Sequence, residues 1–389
     1  MKRWLRRALK LTGALVLVAT LAAIVMGWTS VGHRATGARR ERMTRSPEWR
    51  DGAFVNPQPI VNHLRPMVHG WLAPDPATNP LTPPPTMHPD LRVAPASGLR
   101  VTWLGHSSML LELDGKRILT DPVWSERVTP IAGIGPQRWY PPPLPLDELP
   151  PIDAVVISHD HFDHLDRTTV VALDRRGTTF IVPLGVGAHL EYWGIPAAHI
   201  TELDWWQRHR VGALEIVSTP SRHASGRQLF DRDATLWCGY AFLGPRHRVY
   251  YSGDTGLFPR MHDIGAQLGP FDLTMIEIGQ YSQGWPDWHS GPEQAVIAHQ
   301  WVRGKIMLPV HWGLFALASH GWTEPIERVL VAAKDAGVPL LTPRPGQSVE
   351  PSAPPPSERW WPSLPWHRAA EDPIVSSQAN EPPSSADKR

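Results

Sequence analysis

From Leu99 onward, short apolar runs separated by turn-forming clusters dominate the chain. LRVTWLGHSSMLLELDGKRILTDPV reads as three short strands, with Asp114-Gly115 as the hairpin turn between the second and third. AVVIS (Ala154 to Ser158) is a buried strand, and FIVPL, LEIVSTP (Leu214 to Pro220), WCGYAFLG, RVYYSGD, LTMIEIG and KIMLPVHWG continue the series. Helical spacing marks a segment around Arg167 to Arg175, then GPEQAVIAHQWV (Gly291 to Val302). EPIERVLVAAKDAG forms an amphipathic helix ending at a glycine. The pattern predicts an α/β (α+β) fold of two sheets covered by helices, with functional groups on loops at strand ends.

Outside this region the texture differs. MKRWLRRALK is basic, and Leu11 to Trp28 follow without a charge, which is nearly enough to cross a bilayer. The nearest small-x-small site, Ala35-Thr36-Gly37, lies well behind the apolar run, so the segment reads as an uncleaved signal anchor. Basic residues on its two sides tie in number; the upstream set lies closer, which favours a cytoplasmic N-terminus and an outside domain. The predicted organisation is an anchor over 1–28, a Pro-rich linker and extension over 29–98, a folded α/β domain over 99–345 and a disordered Pro/Ser-rich tail over 346–389. Within that tail Arg359-Trp360-Trp361 and Trp366 are able to dock.

A net charge of +1 over 389 residues gives no electrostatic case for a nucleic-acid partner, and one cysteine, Cys238, excludes an intramolecular disulfide and a cysteine-rich metal site.

The chemistry concentrates in SHDHFDH, Ser158 to His164. Titratable side chains so crowded resist burial unless a cation sits among them. On a loop leaving a strand, His159 and His161 face one metal while Asp163 and His164 can turn toward a second. Three further candidates each follow a strand: His223 in SRHASGR, Asp254 in SGDTG and His311 in PVHWG. Imidazole and carboxylate suit zinc and, less specifically, manganese or iron. Taken singly, His223 or His311 would be an ordinary surface or core histidine and Asp254 a turn residue; together with SHDHFDH they describe a metal site.

HxHxDH with a distant His, a GDT aspartate and a late His resembles the metallo-β-lactamase superfamily. TWLGHSSMLLELDGKRILTDPVWSER, GPQRWYPPP, LPPIDAVVISHDHFDHLD, SRHASGR, YYSGDTG and PVHWGLFAL are similar to bacterial relatives of N-acylphosphatidylethanolamine-hydrolysing phospholipase D. The resemblance covers about Leu99 to Pro345 and implies a four-layer αβ/βα sandwich. It implies two zinc ions, one on His159, His161 and His223, the other on Asp163, His164 and His311, with Asp254 bridging.

Such a centre would hold a bridging hydroxide able to attack a phosphodiester. The resemblance makes a membrane phospholipid the expected substrate, with phosphatidate and an N-acylethanolamine as products. Asp163 and Asp254 are thereby catalytic candidates. His289, before a helix in PDWHSGPEQA, is a candidate proton donor or phosphate contact. His106 is expected either to contact substrate, to orient a ligand or to hold a turn. Arg227 is expected to pair with an anionic substrate or to brace its loop. Competing expectations are a lactonase or esterase, a phosphodiesterase of soluble substrates, and a non-catalytic metal-binding envelope protein.

Overall fold

The computed structural model describes residues 27–377 except 132 and 229, together with residues 10, 12–14 and 18. The expected anchor over Leu11 to Trp28 therefore lies mostly outside the described residues. Among those described, no helix is long and apolar enough to cross a membrane.

Among the described residues the strands run in chain order: β1 (Trp49–Arg50), β2 (Ala53–Phe54), β3 (Leu99–Gly105), β4 (Ser108–Leu113), β5 (Lys116–Thr120), β6 (Ala154–Val156), β7 (Phe180–Pro183), β8 (Ile200–Leu203), β9 (Arg208–Val211), β10 (Leu214–Thr219), β11 (Gly239–Leu243), β12 (Arg248–Tyr251), β13 (Leu273–Glu277), β14 (Met307–Val310) and β15 (Ser348–Val349). The helices are α1 (Gly37–Met43), α2 (Leu64–Leu72), α3 (Arg167–Asp174), α4 (Gly187–Tyr192), α5 (Met261–Leu268), α6 (Pro292–Trp301) and α7 (Glu324–Ala336). β1 and β2 form a small ribbon. One main sheet has the order β15-β3-β4-β5-β6-β7-β8, the other β14-β13-β12-β11-β10-β9.

Period-two alternation explains the layering. In β6 and its exit, Ala154 and Val156 enter the core between the sheets, whereas Val155 and Ile157 join Val170, Leu173 and Leu190 beneath α3 and α4. Both faces are therefore covered, which is why the strand reads as a continuous apolar run. On the far side, Ile264, Ala295, Ala298, Ile326 and Val329 pack α5, α6 and α7 on the second sheet. The result is the expected four-layer sandwich. The Asp114-Gly115 turn has φ of 49° and 84°, and α7 ends on Gly337 at φ 68°, as the sequence predicts.

The tail departs from the expectation of disorder. Through residue 377 it lies on the domain: β15 adds an edge strand to β3, and Trp360 and Trp361 are buried. Trp103, Trp312 and Trp360 stack in sequence with ring centroids 5.4 and 5.3 Å apart. Aromatic area of this size offsets the entropy of ordering a Pro-rich segment whose backbone is already stiff. The linker over 29–98 is likewise partly packed, with Met43 and Phe54 in the core.

Candidate metal centre

The loops leaving β6, β10, β12 and β14 converge between the two sheets. Gly253, at φ 57°, permits this: a Cβ there would stand 2.6 Å from the Cys238 carbonyl oxygen and 2.8 Å from the Ser158 Cβ. Non-glycine residues with left-handed backbone cluster at the same place, namely His106, Asp121, Gln280 and His311, with φ between 36° and 63°. Strained conformations of this kind persist where surrounding contacts over-determine them.

Two ligand groups emerge. His159, His161 and His223 present nitrogens within 4.8 Å of one another; His106, Asp163, His164 and His311 form a second group. His161 Nδ1 is 2.9 Å from His159 Nε2 and 3.3 Å from His223 Nε2. These separations are close to the edge of a tetrahedron with ligand bonds of ~2.0 Å, about 3.3 Å. Asp254 Oδ2 lies between the groups, 3.8 Å from the Nε2 atoms of His159 and His223 and 3.1 Å from those of His164 and His311. Asp163 Oδ2 is 3.3 Å from His164 Nε2 and 3.5 Å from His311 Nε2. All seven sequence-predicted ligands are thus brought together, in the two sets expected.

The test of whether cations fit is hydrogen bonding. Asp254 is 2% exposed, yet among the described residues neither carboxylate oxygen has a hydrogen-bond partner, and the Nε2 atoms of His164 and His311 are equally orphaned. Buried polar groups are satisfied in native proteins; divalent cations among these atoms would satisfy all of them. The donor set, nitrogen-rich with two carboxylates, fits zinc-like metals. Burial opposes ionisation of Asp254, but His164 and His311 outweigh it and hold the carboxyl well below its usual range.

Outer contacts fix three of the rings. His164 Nδ1 donates to Asp121 Oδ2 at 2.7 Å, His223 Nδ1 donates to the Trp288 carbonyl at 2.8 Å, and His159 Nδ1 meets Ser158 Oγ at 2.9 Å. Engaging Nδ1 leaves Nε2 for a metal, the usual arrangement around such centres.

Two sequence-based candidates move to other tasks. His106 is buried and does not line the cavity over the cluster; its Nε2 lies 3.0 Å from Asp163 Oδ2 and its carbonyl accepts from His311 N at 3.0 Å. Burial pushes its pKa down to about 3, so it is a neutral donor orienting Asp163 rather than a substrate contact. Arg227 is also buried. Its guanidinium donates to the carbonyls of Asp160 at 2.6 Å, Leu165 at 2.9 Å and Ser30 at 2.8 Å, and covers the Phe162 ring. It braces the ligand loop, and the anionic-substrate role is not supported. His289 does line the cavity, with Nδ1 held 2.8 Å from Glu277 Oε2.

Asp121 and Glu277 were not singled out by the sequence. Asp121 also accepts from Ser158 N at 2.7 Å; Glu277 accepts from Thr255 N at 2.7 Å and Ser290 N at 3.0 Å. The available signal was a carboxylate embedded in an otherwise apolar strand, as in LTMIEIG, or ending one, as in KRILTD.

Residues 116–312 match the beta-lactamase superfamily domain. An uncharacterized protein of Mycobacterium tuberculosis is 47% identical over 369 residues, spanning 92% of this chain and 99% of that one. N-acyl-phosphatidylethanolamine-hydrolyzing phospholipase D 1 of Caenorhabditis elegans is 37% identical over 235 residues, 57% of this chain and 66% of that protein. Among solved structures, Igni18, a metallo hydrolase from Ignicoccus hospitalis, aligns with a TM-score of 0.50 at 24% identity over 64% of this chain and 97% of its own. The chain belongs to the β-lactamase superfamily, in its metallo-β-lactamase fold, as a metal-dependent hydrolase related to the N-acylphosphatidylethanolamine-hydrolysing phospholipases D.

Proposed function

We propose that this hydrolase is a dinuclear zinc phosphodiesterase that cleaves N-acylphosphatidylethanolamine-like lipids. The observation that carries the reading is the cavity over the metal cluster. It has a volume of about 380 Å³, with His161, Asp163, Asp254, His289 and His311 on one side and Met67, Trp285, Trp288 and Leu317 on the other. Met67 and Trp285 also line an apolar groove of about 400 Å³ beside Val68, Trp71, Pro74 and Ala318. A polar floor continuous with an apolar exit suits an amphiphile whose scissile bond sits at the headgroup. Helix α2 beside it buries none of its residues and carries Leu64, Met67, Val68 and Trp71 at helical spacing, with Trp71 86% exposed. Such a stripe favours contact with a lipid surface. The C. elegans relative, named for hydrolysing N-acyl-phosphatidylethanolamine, supports the same substrate class.

Bound divalent cations supply Lewis acidity and a water acidified to near-neutral pH. His159, His161 and His223 would hold one and Asp163, His164 and His311 the other, with Asp254 placed to serve both. With Nδ1 engaged by Glu277, His289 has Nε2 available to protonate the departing alkoxide or to contact the phosphate. Met67, Trp285 and Trp288 exclude bulk water from the reacting phosphate.

The test is hydrolysis of N-acylphosphatidylethanolamine in mixed micelles by the full-length chain, beside a chelated sample and His161→Ala. Metal-dependent release of N-acylethanolamine, lost in both controls, is expected. Turnover of a lactone or a soluble phosphodiester without lipid turnover would retain the hydrolase and discard the lipid assignment. An envelope anchor and an outside location belong to the same proposal and rest on the apolar run Leu11 to Trp28.

A further inference from the structure

Directly before the ligand His223 stands Arg222, and directly before Trp288, whose carbonyl holds His223, stands Asp287. Both side chains are fully buried and pair at 3.0 Å. This pair is the meeting point of two segments from outside the β-lactamase superfamily match. From the N-terminal side, Pro59 O accepts from Arg222 Nη2, and Val61 N donates to Asp287 Oδ2 at 2.8 Å. From the C-terminal side, Ser377 N donates to Asp287 Oδ1 at 2.7 Å and its hydroxyl to Oδ2 at 2.7 Å. Arg222 in turn donates to Ser377 O at 2.8 Å and to its Oγ at 3.0 Å. The N-terminal segment also grips the ligand itself: Asn56 donates to His223 O at 2.6 Å and accepts from His223 N at 3.1 Å. Gly256 makes room, since a Cβ there would stand 2.1 Å from Asp287 O.

We propose that residues 56–61 and 374–377 are integral to the metal centre, clasping the buried Arg222–Asp287 pair so that His223 and the His289 loop are held in position. Arg222, Asp287 and Asn56 are positioning residues: each acts through a neighbour in sequence or through a backbone contact. The arrangement is directional. The pair links the loop after β10 to the loop before α6, whereas among the described residues Asp163, His164 and His311 make no hydrogen bond or ion pair with it. The Arg222 backbone also meets the Asp254 loop, accepting from Gly256 N at 2.8 Å and donating to Thr255 Oγ1 at 2.9 Å. Loosening the clasp therefore weakens the His159–His161–His223 metal more than the other, which it reaches only through the shared Asp254. A buried ion pair whose two guanidinium Nη atoms and both carboxylate oxygens are engaged by two distant segments resists rearrangement, because separating its members leaves an unpaired buried charge.

The inference rests on the metal-centre reading, and the experiment separates the two. The full-length chain is stripped and titrated with cobalt(II), the two dissociation constants being read from visible absorption and chelator competition. His223→Ala identifies the constant belonging to the His159–His161–His223 set. Asp287→Asn and Asn56→Ala are expected to weaken that constant about 10- to 100-fold, in the range for partners behind metal ligands, with the other constant weakened far less. Ser377→Ala should weaken it in the same direction and Ser377→Thr, which keeps the hydroxyl, should not. Equal weakening of both constants, or none in a wild-type protein that binds two metals, overturns the clasp. Wild-type protein that binds no cobalt instead refutes the metal centre. If Asp287→Asn does not fold, Asn56→Ala and the Ser377 pair decide the matter alone.

Discussion

Asp121→Asn tests the support directly behind His164, because it changes no candidate ligand and almost no volume. Asp121 is fully buried. One carboxylate oxygen accepts from Ser158 N at 2.7 Å; the other accepts from Ser158 Oγ at 2.5 Å, from His164 Nδ1 at 2.7 Å and from the Tyr251 hydroxyl. An amide can offer only one acceptor. In its better orientation the oxygen keeps the three-donor side and the NH₂ faces Ser158 N–H, so one bond is lost and three become neutral. With hydrogen bonds to charged groups contributing about 1.5–3 kcal/mol each, the expected destabilisation is roughly 3 kcal/mol. His164 also loses the partner fixing its tautomer, which predicts a metal affinity lower by about 10- to 100-fold. Urea unfolding of the metal-free chain measures the first quantity and competitive metal titration the second. A variant within about 0.5 kcal/mol of wild type, with affinity within about twofold, would refute the assignment of Asp121 as the anchor of His164.

Glu277→Gln removes the charge behind His289; kcat should fall about 10- to 100-fold while KM changes little, as steady-state kinetics on micelles will show. Trp71→Asp places a charge on the exposed apolar helix and should raise the apparent KM for micellar lipid severalfold, with turnover of a short-chain soluble substrate unaffected. In the metal-free protein, burial opposes protonation of His311, but Asp254 and Asp163 outweigh it and push its pKa up to about 10. A pKa raised above the unfolded value of about 6.5 contributes stability that is fully present below that value and is lost as pH rises through the folded one. Melting of chelated protein should therefore drop between pH 6.5 and 10, whereas metal-loaded protein, whose ligand imidazoles must be deprotonated, should show no such drop.

The candidate ligand set was legible because five histidines and two aspartates, each placed just after an apolar strand, answer to little except a metal site. The covered strands were legible because both of their faces are apolar. β9, with alternately exposed residues in RHRV, carried no such pattern and is held in place by its ladder with β10. The roles of His106 and Arg227 were ambiguous from sequence, since a buried brace and a substrate contact use the same side chains; only the partners tell them apart. In the tail, Trp360 and Trp361 were legible as docking residues, whereas Ser377 was not, because proline and serine usually signal an unfolded segment and its complementary surface is distant in sequence.

The stack of Trp103, Trp312 and Trp360 joins a strand of the first sheet, the residue after the ligand His311, and the C-terminal segment. Interplanar angles of 21° and 26° at centroid separations of 5.4 and 5.3 Å bring these chromophores close enough for their excited states to couple. The protein thus carries a native optical gauge: near-ultraviolet circular dichroism should register any shift of the β14 loop or lifting of the tail without a label.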